Sequence, residues 1–97
     1  MKNGNKELEA LAEAFLSLET KEECLSFLED LCTFKEMDSM AQRLQVAKLL
    51  KSGKKFQEIV DETGASTATI SRVNRCIMHG SGGYNSVIEK NRVKTTG

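Results

Sequence analysis

From Phe56 to Met78 the apolar positions fall into two helical stripes on either side of one glycine, Gly64. Ile59 and Val60 mark the first stripe; Ile70, Val73 and Ile77, spaced three and then four residues apart, mark the second. Such spacing turns one face of each segment toward the rest of a protein. The pattern predicts a helix-turn-helix. Gly64 is placed to close the first helix in a left-handed conformation that glycine adopts without a Cβ clash. Ala65 is small enough for two helices to approach, and Ser66 carries the oxygen that caps the second helix. The start of the first helix is poorly marked, because Lys55 stands where a short capping side chain is expected.

Three helices are legible before this unit. The first, roughly Lys6 to Glu19, aligns Leu8, Leu11, Ala12, Phe15 and Leu18. Thr20 and Glu23 have the spacing of a capping box. They open a second helix, Lys21 to Leu31, whose Cys24, Leu25, Phe27, Leu28 and Leu31 wrap around much of its surface. Thr33 and Glu36 repeat the box and open a long third helix, Phe34 to Ser52. Its stripe is Met37, Met40, Ala41, Leu44, Ala47 and Leu50, widened by Val46 and Leu49. Gly53 ends it, and Lys54-Lys55 lead on. After Met78 the glycines of HGSGGY break the helix. A short last helix, Asn85 to Arg92, is expected to dock Val87 and Ile88 and to leave VKTTG as a loose tail. The expectation is one all-α domain of six helices over residues 1–97: dimerisation helices in 1–53, the helix-turn-helix in 54–79, and a glycine turn, short helix and tail in 80–97.

Composition agrees. There is no proline and there are five aromatic residues, which favours helix throughout. No apolar run approaches the roughly 20 residues that span a bilayer. The opening MKNGNKELEALAEAF sets glutamates among its apolar residues and lacks a signal-peptide core, so a cytoplasmic chain is expected, away from membranes. The first three helices carry more apolar surface than a thin monomer covers. Each buried Leu or Phe is worth about 1.5–3 kcal/mol, so a homodimer through these helices is expected. Two-fold symmetry would then offer a recognition helix to each of two successive major grooves, about 34 Å apart.

Net charge is zero, yet it is unevenly placed. Residues 1–36 hold nine acids and four bases, a balance of −5, and residues 37–97 hold five acids and ten bases, a balance of +5. The basic half carries the helix-turn-helix, which points to double-stranded DNA as the partner. Thr67, Ala68 and Thr69 are the candidates for base edges, with Gln57 reaching in from the preceding helix. Lys54, Lys55, Ser66, Arg72 and Arg75 are the candidates for phosphates. A charge of +5 is modest, and two copies on one site would supply what one lacks. The expected function is sequence-specific transcriptional regulation. The same thin basic surface leaves a protein-interaction module as the alternative, and a small-molecule sensor as a third reading.

Other chemistry finds little support. Cys24 and Cys32 sit among leucines, as buried free cysteines do. Cys76 and His79 are three apart but have no second ligand pair, so no metal is expected. A redox role for Cys76, which lies close to Arg72 and Arg75 in sequence, stays open. GSGGY follows a helix and lacks the Lys-Ser/Thr of a phosphate loop. With His79 the only histidine, the serines and threonines have no evident general base, and neither an enzyme nor a cofactor is expected.

The string GASTATISR, Gly64 to Arg72, resembles the tryptophan repressor family, in which Gly-Ala-x-x-Ala-Thr-Ile-Thr-Arg occurs. Ala47-Lys48-Leu49-Leu50, Gln57-Glu58-Ile59 and Leu31-Cys32-Thr33 keep the matching register, and the likeness covers roughly residues 30–78. CIMHGSGGY and MDSMAQRLQVAKLL are closer to the YerC/YecD branch of that family. The resemblance implies a six-helix, intertwined homodimer with a helix-turn-helix at each end. It also implies an effector site built partly from two arginines; Arg72 matches one, and Arg43 stands at or beside the other. The glycine that makes room for the indole is Val73 here, and a serine that helps hold the ligand amine is Cys76. A branched side chain in that space should fill it, so no tryptophan binding is expected.

Overall fold

The computed structural model describes the backbone of residues 5–96 and the side chains of residues 5–91. Six helices follow one another: α1 (Lys6–Leu16), α2 (Lys21–Leu31), α3 (Phe34–Lys51), α4 (Phe56–Thr63), α5 (Thr67–His79) and α6 (Gly83–Thr96). Among the described residues there is no strand and no helix long and apolar enough to cross a membrane. The chain divides into two compact units, one ending at Met37 and one beginning at Asp38.

In the first unit α1 stops at Leu16, three residues before the expected end. The Ser17 N–H donates to the Glu13 and Ala14 carbonyls, and its hydroxyl donates to Ala14 O at 2.7 Å, which closes the helix locally. Glu19 is then used by the next element: its N–H donates to the Glu23 carboxylate at 2.9 Å. Thr20 Oγ1 accepts the Glu23 N–H at 3.0 Å, so the cap of α2 forms with its carboxylate reaching one residue further back than a standard box. The Thr33–Glu36 box forms reciprocally, at 2.8 and 3.0 Å. Phe15 and Phe27 meet edge to face, with ring centroids 5.2 Å apart. Even so, neither α1 nor α2 contains a buried residue. Leu16 is 83% exposed and Phe34 79%.

The second unit holds the core: Val46 and Ala47 of α3, Ile59 of α4, Ala65 of the turn, Ile70 and Val73 of α5, and Ile88 of α6. The stripe predicted along α3 is therefore buried only toward its C-terminal end, while Met40 and Ala41 stay exposed. α6 differs from expectation at both ends. It starts at Gly83, where the Ser86 N–H donates to Gly82 O, and the supposed loose tail is helical through Thr96, since nothing in 84–96 breaks a helix. Ile88 docks in the core as expected; Val87 does not, remaining 49% exposed.

Candidate nucleic-acid interface

The turn between α4 and α5 is built almost wholly by local chemistry. Gly64 takes φ +75°, and its N–H donates to Val60 O at 2.9 Å. Thr63 does more than its sequence position suggests: its hydroxyl donates to Ile59 O at 2.7 Å and accepts the Ala65 N–H at 3.1 Å. Ala65 is buried between the helices, as its size requires. Ser66 Oγ accepts the Thr69 N–H at 3.1 Å, capping α5 as expected. The same hydroxyl donates to Thr69 Oγ1 at 3.1 Å, so its proton is turned inward along the helix. The weakly marked start of α4 is held from the other direction. The Lys55 N–H donates to the Glu58 carboxylate at 2.8 Å, the half of a capping box that needs no hydroxyl.

With Ile70 and Val73 buried, α5 turns Ala68, Ser71, Arg72 and Arg75 outward, all of them exposed. Their spacing of three, one and three places them on one face. Thr67 is exposed as well, while Thr69 lies on the flank of that face and is half-buried. Ser71 does not stand out in the sequence, although its position three residues after Ala68 is the signal that identifies it. No acidic residue occurs anywhere on α5. At the C-terminal end Gly80 passes so close to the Cys76 carbonyl that a Cβ there would collide with backbone.

Lys54, Lys55 and Gln57 are exposed upstream of this face. Gln57 Nε2 donates to Asp61 Oδ1 at 3.0 Å. Lys54, Glu58, Asp61 and Glu62 line a shallow depression along α4. Glu58, Asp61 and Glu62 make that side of α4 acidic, in contrast to the acid-free α5.

The two arginines named for an effector are differently placed: Arg72 is exposed and Arg43 half-buried. The neighbour of Arg43, Gln42, hydrogen-bonds to the helix-turn-helix: its Nε2 donates to Thr63 O at 3.3 Å. Val73 is 1% exposed and packed in the core. A groove of about 400 Å³ opens beside Cys76, lined by it and by Leu44, Gly80, Ser81, Gly83, Tyr84 and Val87. None of these side chains is charged. Cys24 and Cys32 are half-buried free thiols, and Cys76 is an exposed one. Among the described residues no group of three or more His, Cys, Asp or Glu side chains converges.

Comparison with known proteins agrees with this architecture. Residues 6–92 match the Trp repressor protein family. The uncharacterized protein YerC of Bacillus subtilis (strain 168) is 50% identical over 91 residues, covering 94% of this chain and 86% of that protein. The crystal structure of a candidate Trp repressor from Staphylococcus aureus is 45% identical, with a TM-score of 0.87 over 91% of this chain and 88% of that one. A TrpR-like protein from Eubacterium eligens is also 45% identical, with a TM-score of 0.86 over 90% of each chain.

Proposed function

Starting from a chain that belongs to the Trp repressor family, we propose that it is a homodimeric, sequence-specific DNA-binding transcriptional regulator acting in the cytoplasm. The observation that carries this reading is the outward face of α5. It is free of acids, bears Arg72 and Arg75, and stands opposite a buried Ile70–Val73 stripe. Thr67, Ala68 and Thr69 meet base edges at the start of that helix, joined by Ser71. Lys54, Lys55, Arg72 and Arg75 hold phosphates, and Ser66 sets the first turn beside them. Gln57 approaches the groove through its Oε1, its amide nitrogen being engaged by Asp61. Residues 1–53 serve dimerisation, 54–79 bind DNA, and the helix after the glycine turn braces α5.

Selection of bound sequences from random duplexes should return a two-fold symmetric motif. Removing Lys54 and Lys55 together (Lys54→Ala, Lys55→Ala) should weaken binding on every sequence. It should also reduce the salt slope by about 0.9 for each phosphate that is no longer neutralised. Thr69→Val should alter base preference and leave nonspecific binding nearly intact. Affinity that stays flat from low to moderate salt would instead establish a protein-interaction module on the same scaffold.

Tryptophan does not control this regulator. Val73 occupies core space and the groove beside Cys76 offers no charged side chain. Equilibrium dialysis with labelled tryptophan should detect no uptake at micromolar concentration; saturable uptake refutes this.

A further inference from the structure

A helix leaves its last four carbonyls without intrahelical donors. At the ends of both α4 and α5 one such carbonyl is met by a carboxamide from another helix. Gln42 of α3 donates to Thr63 O at 3.3 Å, and Asn85 of α6 donates to Ile77 O at 3.2 Å. The first bond spans 21 residues of sequence and fastens the turn immediately before α5; the second fastens the last turn of α5. Both are partly buried, where a hydrogen bond is less exposed to competition from water. At the turn the grip continues inward, since Thr63 also holds Ile59 O and the Ala65 N–H through its hydroxyl.

Resting on the DNA-binding reading above, we propose that Gln42 and Asn85 are positioning residues for the recognition helix. Gln42 fastens the end of α4 that leads into it and Asn85 fastens its own last turn, so that its orientation is built into the folded chain and needs no bound small molecule. Neither residue faces DNA; each acts through the carbonyl it holds. An apolar side chain of similar length can replace the packing of either clasp but not the bond. A carbonyl left without its donor then lets the end of the helix swing.

The test uses the full chain, dialysed free of small molecules, carrying Gln42→Met, Asn85→Leu or both. Two readouts are needed: affinity for a selected and a scrambled duplex, and amide hydrogen exchange at Gly64, Ala65 and the last turn of α5. Each single change should weaken binding about two- to tenfold, the range for losing one neutral hydrogen bond. The selected base preference should be retained, unlike in Thr69→Val. Exchange should rise at Gly64 and Ala65 in Gln42→Met and in the last turn of α5 in Asn85→Leu, while Ile70 and Val73 stay protected. Gln42→Glu keeps the length but presents a carboxylate to the Thr63 carbonyl, and should behave like Gln42→Met.

Affinity and exchange that stay unchanged in both single variants overturn the proposal. So does dialysed wild-type protein that binds its motif only when millimolar L-amino acids are added. Increased local exchange in a protein that binds no duplex at all shows clasps that hold the helix without a DNA role; DNA binding as the function then falls, and the positioning role with it.

Discussion

Ile70→Ala is expected to destabilise the protein by about 2–5 kcal/mol, the range for emptying a fully buried branched aliphatic site. Ile70 is 0% exposed and sits where α3, α4, the turn and α5 supply the core around Val46, Ala47, Ile59 and Ala65. The surrounding side chains are already small or branched, so little of the space can be refilled. For a chain of this size each kcal/mol lowers the midpoint of thermal unfolding by about 4–8 °C. Melting must be compared at one protein concentration, because association shifts the midpoint. Thr67→Ala on the open face should stay within about 0.5 kcal/mol. A loss under about 1 kcal/mol in Ile70→Ala, below the range for a buried aliphatic site, would mean that the apolar stripe of α5 is not the face that anchors it. The outward row of Ala68, Ser71, Arg72 and Arg75 would then lose its basis.

The second large effect lies far from that row. Leu25→Asp together with Phe34→Asp should convert the proposed dimer to monomers and cut affinity for a two-fold site by about 10²–10⁴, the usual span of avidity between linked modules. α1 and α2 bury no residue, while Leu16, Leu25, Leu31 and Phe34 are exposed to between 47% and 83%. Apolar residues repeated at helical spacing are expensive to leave in water. Sedimentation equilibrium reads the mass and a filter-binding titration reads the affinity. Wild-type protein that sediments as a 97-residue monomer at micromolar concentration would end the dimer proposal, whatever the double variant does.

Much of the fold is legible in the chain because it is encoded over three or four residues. Thr20 with Glu23 and Thr33 with Glu36 place two helix starts by hydrogen bonds that span a single turn. Gly64, Ala65 and Ser66 specify the central turn in the same local way, through positive φ, small volume and a capping oxygen. Where structure and expectation part, competition between neighbours is responsible. Glu19 has the pattern of a last residue of α1, but the cap of α2 claims its N–H. Thr69 has the same chemistry as Thr67, yet it sits on the flank of α5 and shares a bond with Ser66. Lys55 is a poor cap by its own side chain, and the group that secures α4 is Glu58, three residues on.

What the chain alone determined is therefore the sequence of six helices, the helix-turn-helix and which residues of it are greasy, since periodicity and caps act within a turn or two. Only the tertiary structure decided how deeply each stripe is covered. It buried Val46 and Ala47 but not Met40 on the same helix, docked Ile88 and left Val87 out, and showed Val73 taking core space. It also revealed Gln42 and Asn85 as the donors that hold α4 and α5. No local pattern announces these, because partners 21 and 8 residues away, on another helix, leave no periodicity in the chain; the bonds exist only once the helices have packed.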